Sequence, residues 1–216
     1  MNIQSSTIAH NTAFGVAGSA IGGGLLFTSG PTFLPQTPRI VSSTISGNTA
    51  PTAGGASITW RYGSFEMDNS TVAFNSAEPG SAAGLAVTGC YTHLLSSILA
   101  ENVGGSPDLV TNQSCNSYQL PVLDGMGSIV MSSNQQPTNT TVANPHLAPL
   151  AWHGGPTQVH ALSANSVAIG HGANPRNFDN DQRGPGFPRT IGHITDSGAY
   201  QRQINNDELF FSGFDD

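Results

Sequence analysis

The sequence predicts an all-β protein: a right-handed, single-stranded parallel β-helix (a solenoid) with a loop-rich C-terminal cap. An internal repeat, an unusual composition and short strand-like runs at fixed offsets from the repeat carry that expectation. Four segments align without gaps: Ser6-Thr7-Ile8-Ala9-His10-Asn11, Ser43-Thr44-Ile45-Ser46-Gly47-Asn48, Ser70-Thr71-Val72-Ala73-Phe74-Asn75 and Ser97-Ile98-Leu99-Ala100-Glu101-Asn102. Their starts lie 37, 27 and 27 residues apart. Gly, Ser, Thr and Asn fill 86 of the 216 positions, and only 9% of residues are charged, against roughly 25% in an average soluble domain.

Taken in order, each coil reads as three short strands. The serine-led segment is one. After each asparagine comes a small-residue stretch and then Gly24-Leu25-Leu26-Phe27, Gly55-Ala56-Ser57-Ile58 or Gly84-Leu85-Ala86-Val87. Before each serine stands Arg39-Ile40-Val41, Glu66-Met67-Asp68 or His93-Leu94-Leu95. The longer first interval holds a proline-rich stretch, Ser29 to Pro38, which reads as an inserted loop. Coils stacked at the roughly 4.8 Å inter-strand spacing turn equivalent residues into columns. Ile8, Ile45, Val72 and Leu99 are expected to form one apolar column, and Ile40, Met67 and Leu94 another. Asn11, Asn48, Asn75 and Asn102 are expected to stack at a turn, their amides bonding along the column and their backbones tolerating left-handed angles.

The phase has two further consequences. Arg39, Glu66 and His93 each lie four residues before a repeat serine, which predicts a solvent-facing ladder with Glu66 between two basic groups. Cys90 and Cys115 fall at nearly the same position in adjacent coils. That placement allows a disulfide and equally allows two buried thiols.

Several function classes are excluded. There is no lysine, hence no Schiff base and no ordinary P-loop. A formal charge of −7 without a basic run argues against nucleic acid. No apolar run approaches the ~20 residues of a membrane span. The N-terminus has neither a positive n-region nor an apolar h-region and opens directly inside a repeat, so a truncated product of a longer secreted protein is the expectation. The coils are assigned to residues 1–120, the last coils and cap to 121–201, and an acidic tail to 202–216.

Beyond Asn102 the sequence resembles the choice-of-anchor Q domain proteins, bacterial surface β-helices related in repeat style to polymorphic outer-membrane proteins. Asn144-Pro145-His146-Leu147-Ala148-Pro149-Leu150 is similar to the family's D-P-x-L-x-P-L, and Gly154-Gly155-Pro156-Thr157-Gln158-Val159-His160-Ala161-Leu162 to its G-G-P-T-x-T-H-A-L. Ser166-Val167-Ala168-Ile169-Gly170-His171-Gly172 resembles S-P-A-I-D-A-G. Asp181-Gln182-Arg183-Gly184 reproduces D-Q-R-G, and Asp196-Ser197-Gly198-Ala199-Tyr200-Gln201 resembles D-I-G-A-Y-E. His153, Gly170 and Gln201 depart from the asparagine, aspartate and glutamate usual at those places. The resemblance implies a secreted or cell-surface protein.

The same scaffold supports enzymes that act on polysaccharide with paired carboxylates roughly 5–10 Å apart. By repeat phase Glu66, Asp68 and Glu101 fall on different columns and make no such pair. Asp179-Asn180-Asp181 has a spacing compatible with calcium, though only two carboxylates are close. The preferred reading pairs Asp181 with Arg183 to hold the last turn. Trp60-Arg61-Tyr62 reads either as a sugar-stacking platform or as cover for the solenoid side. His160 reads as a hydrogen-bonded packing residue. The function expected is a non-catalytic secreted or surface module with a structural, adhesive or interaction role and no cofactor. Its partner would be a surface glycan or protein. The alternative is a carbohydrate-active protein of pectate-lyase type on the same scaffold.

Overall fold

The computed structural model describes residues 1–15, 20–29, 37–105, 107–115 and 120–203; the side chains of Arg61 and Tyr62 lie outside that description. Most of the inserted stretch Ser29–Pro38, from residue 30 to 36, and the tail from residue 204 onward lie outside it as well. The described residues form fourteen strands and no helix.

The strands are β1 (Asn2–Gln4), β2 (Thr7–Ala9), β3 (Leu25–Thr28), β4 (Arg39–Val41), β5 (Thr44–Ser46), β6 (Ala56–Asp68) and β7 (Thr71–Ala73). They continue with β8 (Leu85–Leu95), β9 (Ile98–Ala100), β10 (Leu109–Gln113), β11 (Val122–Val130), β12 (Thr138–Thr141), β13 (Leu147–Ala151) and β14 (Val159–Leu162). The first twelve pair in parallel as a β-solenoid with three faces. One face stacks β1, β4, the C-terminal halves of β6 and β8, and the start of β11. The second stacks β2, β5, β7, β9 and the end of β11. The third stacks β3, the N-terminal halves of β6 and β8, and β10. Because β6 and β8 each run round a corner, the faces join into one continuous sheet.

Register follows the repeat. Ile8 pairs with Ile45, Ile45 with Val72, Val72 with Leu99, and Val130 adds a fifth rung. Ile40, Met67 and Leu94 are likewise aligned, with Ile3 beneath them. These side chains point inward; from Ile40 and Ile45 to Val130 they are essentially unexposed, while Ile3 and Ile8 in the first rung are partly buried. Burying each contributes about 1.5–3 kcal/mol relative to exposure.

Two polar ladders hold the corners. The backbone N–H groups of Ser6, Ser43, Ser70 and Ser97 each donate to the hydroxyl of the next serine in the column, ending at Ser128. Along the asparagine column, the backbone N–H and side-chain amide of Asn11 both donate to Asn48 Oδ1, and the pattern repeats to Asn75 and Asn102. The left-handed residue at each corner is the one before the asparagine: His10, Gly47, Phe74 and Glu101 all have φ between 57° and 64°. The expectation that the asparagines themselves adopt that angle is corrected. Their amides are spent on the column, and the preceding residue makes the turn. The serine corners follow the same rule, at Ser5, Ser42, Asn69, Ser96 and Gly127.

The C-terminal segment covers the second face from outside. Thr7 Oγ1 donates to the Gln158 carbonyl at 2.6 Å, Thr44 Oγ1 donates to Gln182 Oε1 at 2.6 Å, and Thr71 Oγ1 accepts from the Ala199 N–H at 3.0 Å. A second apolar core forms there, in which Ile98, Ala100 and Ile129 meet Val159, Ala161, Leu162, Ala168 and Tyr200. The β5, β7 and β9 strands are therefore buried on both sides.

Candidate functional site

Strand periodicity decides which charged groups can meet on the first face. Residues two apart share one side of a strand, so Glu66 and Asp68 both project outward from β6 while Met67 enters the lumen. Sequence phase treated the two carboxylates as unrelated columns; the structure brings them together on one cation. Arg176 from the C-terminal segment places Nη2 2.6 Å from Glu66 Oε2 and Nε 2.7 Å from Asp68 Oδ2. Arg39 Nε stands 2.9 Å from the same Glu66 oxygen. His93 is in register with Glu66, as is Asp124 one rung beyond. The partners Glu66 takes are nevertheless Arg39 and Arg176.

Asp68 is buried, with its carboxylate near Arg176 but not aligned for a hydrogen bond. Burial pushes its pKa up to about 6, outweighing the lowering effect of Arg176.

Asp108 closes the asparagine ladder. Residues 24, 55 and 84 are glycines in register, and a Cβ at each would lie 2.7–2.9 Å from the amide nitrogen of Asn48, Asn75 or Asn102. Asp108 occupies the same column one rung later. Its Oδ1 accepts from both the backbone and the side-chain nitrogen of Asn102, at 3.0 and 2.9 Å. The ladder thus ends on a carboxylate, where a charge-assisted bond is stronger than an amide–amide one.

The D-Q-R-G motif sits deep under the C-terminal segment. Asp181 and Arg183 are both buried and form a forked pair, with Nη2 to Oδ2 at 2.8 Å and Nε to Oδ2 at 3.1 Å. Arg183 also donates to the carbonyls of His153 and Gln201, and its guanidinium lies between the rings of Phe187 and Tyr200, 4.1 and 4.0 Å from their centroids. Gln182 points the other way and ties Thr7, Thr44 and Thr157 together. Arg189 is fully buried and donates to the carbonyls of Gly198, Asp196 and Tyr200 and to Gln201 Oε1. Burial lowers its pKa to about 10, so it stays charged at neutral pH.

The remaining sequence candidates are dispersed. Trp60 is 3% exposed and packs against Phe27, with ring centroids 6.0 Å apart. It offers no face to a sugar, and the platform reading is corrected at that residue. Arg61 and Tyr62 carry side chains outside the described structure. Cys90 and Cys115 form a disulfide, with Cα atoms 4.7 Å apart, linking β8 to the chain just after β10. Asp181 has its oxygens occupied by Arg183 and the Gln201 N–H, and is turned away from calcium chemistry. Among the described residues no three His, Cys, Asp or Glu side chains converge as metal ligands would. No helix there is long and apolar enough to cross a membrane.

Asp179 lies elsewhere, on an open cleft of about 520 Å³ shared with Asn177, Phe178, Thr190 and His193. Asn177 and His193 hold φ at 54° and 95°, the latter in the two-residue turn closed by Ile191 and Ile194. Among the described residues the side chains of Asp179, Asn177 and His193 have no hydrogen-bond partner.

Among the described residues, His160 in β14 is the histidine held at both ring nitrogens. Nδ1 is 2.7 Å from the Ala148 carbonyl, which only accepts, so Nδ1 carries the proton. Nε2 therefore accepts from Ser46 Oγ at 2.8 Å. Burial lowers the His160 pKa and keeps the ring neutral. The sequence singled out His160 only for packing. Its pairing with Ser46 spans 114 residues and leaves no local signal. The clearest hint is that Ser46 alone carries a hydroxyl among its rung-mates Ala9, Ala73 and Ala100.

Comparison with protein-family models, curated proteins and solved structures finds no match to this chain.

Proposed function

We propose that the chain is a secreted or cell-surface β-solenoid module that acts by binding, in a structural, adhesive or interaction role. The observation that carries this reading is the commitment of the buried and half-buried carboxylates. Glu66 and Asp68 hold Arg176, Asp108 ends the asparagine ladder, Asp181 holds Arg183, and Asp196 accepts the N–H groups of Gly170 and Arg202. A lyase or glycosidase of this scaffold needs a free pair of such groups facing the polymer. The disulfide supports an oxidising compartment, and the resemblance to choice-of-anchor Q and polymorphic outer-membrane proteins supports surface display.

A second reading has its own observation. The cleft bearing Asp179, Asn177 and His193 beside Phe178 offers solvent-exposed donors, acceptors and an aromatic ring. That chemistry suits a neutral glycan, making the partner a surface saccharide. A glycan array probed with the full chain, run beside a uronate-lyase assay, tests both. Binding without turnover is expected, and Asp179→Asn should weaken any glycan signal. Release of unsaturated uronate products would sink the binding-only reading.

A further inference from the structure

Ser46 and His160 form the floor of a pocket between the solenoid corner and β13. The pocket has a volume of about 380 Å³ and mostly apolar walls, with Phe74, Leu147 and Leu150 among its lining residues. Both polar residues are nearly unexposed, at 2% and 3%, so the pocket is the route by which a small molecule reaches them. Phe74 stacks obliquely on His160, its centroid 4.9 Å away, and fixes the ring from the side. His10 lines the same pocket and packs so closely on Gly47 that a Cβ there would lie 2.8 Å from His10 Nδ1.

We infer that Ser46 is a nucleophile activated by His160, and that the pocket accepts uncharged carboxylic esters with a short aliphatic or aromatic acyl group. A hydroxyl within hydrogen-bond reach of a base, with the base oriented by a third group, is the arrangement that activates serine. Here the third group is the Ala148 carbonyl, which sets the tautomer in which Nε2 is free to take the Ser46 proton. Ser46 Oγ attacks the acyl carbon as its proton passes to His160 Nε2. The imidazolium returns that proton to the alcohol oxygen as the C–O bond breaks, leaving an acyl-serine. Water, deprotonated by His160, then cleaves the acyl-serine, releasing the acid and restoring both groups. Among the side chains lining the pocket besides His160, His10 is the one with a ring N–H to offer a developing oxyanion. A carbonyl stabilises the imidazolium less than a carboxylate does, so turnover is expected to be slow. The ester is confined to apolar, uncharged types because no arginine or carboxylate lines the pocket.

The inference goes beyond the binding role and fails separately from it. The full chain is treated with a fluorophosphonate probe and with p-nitrophenyl acetate and butyrate, and the modified residue is located by peptide mass spectrometry. Wild type is expected to label at Ser46 and to hydrolyse both esters. S46A is expected to lose the label and drop hydrolysis by about 100-fold. S46A is a safe variant because alanine already stands at the equivalent position in three neighbouring rungs, and an unchanged unfolding midpoint verifies that. No label on wild type, a label on another residue, or equal hydrolysis by S46A overturns the inference. Any of these would leave Ser46–His160 as a packing contact.

Discussion

Inside the solenoid, Ile45, Val72 and Leu99 are near-copies stacked one above another, and a change at one rung meets the same surroundings as at the next. Outside, beneath the C-terminal segment, each buried polar group is singular: Arg183 lies between two rings, Gln182 spans three threonines, and His160 meets one serine. The lumen gains stability by repetition, so its interactions are many and individually modest. The flank gains it from a few desolvated polar contacts, each costly to leave half-made. Repetition also limits function, because a column presents identical groups and gathers none around a point. Convergence occurs where a column is broken, as at Ser46 among alanines and Asp108 among glycines.

The largest effect that separates the two regions is expected at Arg183. In Arg183→Met an apolar chain replaces the guanidinium between Phe187 and Tyr200, while Asp181 stays buried and loses its cation. Breaking a buried pair from one side costs about 3–5 kcal/mol. Hydrogen exchange should show residues 145–203 opening while the lumen strands stay protected. Adding Asp181→Asn should restore a substantial part of the loss in urea titrations. A single variant within about 1 kcal/mol of wild type would mean the flank is not held by this pair.

Next comes the disulfide, which closes a loop of 25 residues between adjacent rungs. The chain-entropy relation gives about 3.5 kcal/mol for a loop of that size. Cys90→Ser with Cys115→Ser should lower the urea midpoint accordingly, and the loss should appear in lumen strands β8 and β10 rather than in the flank. An unchanged midpoint would show that stacking alone sets this corner.

Glycine 84 then tests the ladder. A Cβ there would sit 2.4 Å from the Asp108 carbonyl oxygen and 2.7 Å from Asn102 Nδ2. A backbone oxygen has little room to retreat, so Gly84→Ala is expected to cost about 2–3 kcal/mol. Exchange should quicken at the N–H of Asn75 and Asn102 together. Quickening at neither would dissociate the glycine column from the asparagine one.

The contrast also explains what could be read from the residues alone. Serine, asparagine and isoleucine columns are visible because a rung spacing of 27 residues writes them into the sequence repeatedly, and the phase of Cys90 and Cys115 rides on the same spacing. Arg176 is invisible by that route. It lies 110 residues from Glu66, in a turn with no periodicity, and only the path of the flank brings it to the solenoid. Asp108 hides because it is a one-time substitution in a glycine column. Trp60 misleads because its flanking Arg61 and Tyr62 suggest an exposed edge, whereas its ring packs against Phe27 from the rung below. The left-handed corners at Phe74 and Glu101 also escape prediction, since neither residue favours such an angle on its own. The neighbouring ladders impose it.

The smallest effect is the most diagnostic, because it asks whether burial or charge controls the seam joining the two regions. Asp68 has a folded pKa of about 6 against 3.8 for the exposed group. The folded state thus binds the proton more readily than the unfolded chain. Stability from this group is present in full below pH 3.8 and is lost as pH rises through about 6. That slope is opposite to the one given by an ordinary salt-bridged carboxylate. Wild type compared with Asp68→Asn should show a stability difference that moves against wild type by on the order of 2 kcal/mol between pH 4 and pH 7. Unfolding titrations at both pH values give the difference directly, with Arg176 present throughout. A difference moving toward wild type as pH rises would mean that Arg176 outweighs desolvation. The seam would then be a salt bridge that strengthens with pH, and the carboxylate on the lumen strand would belong energetically with the flank.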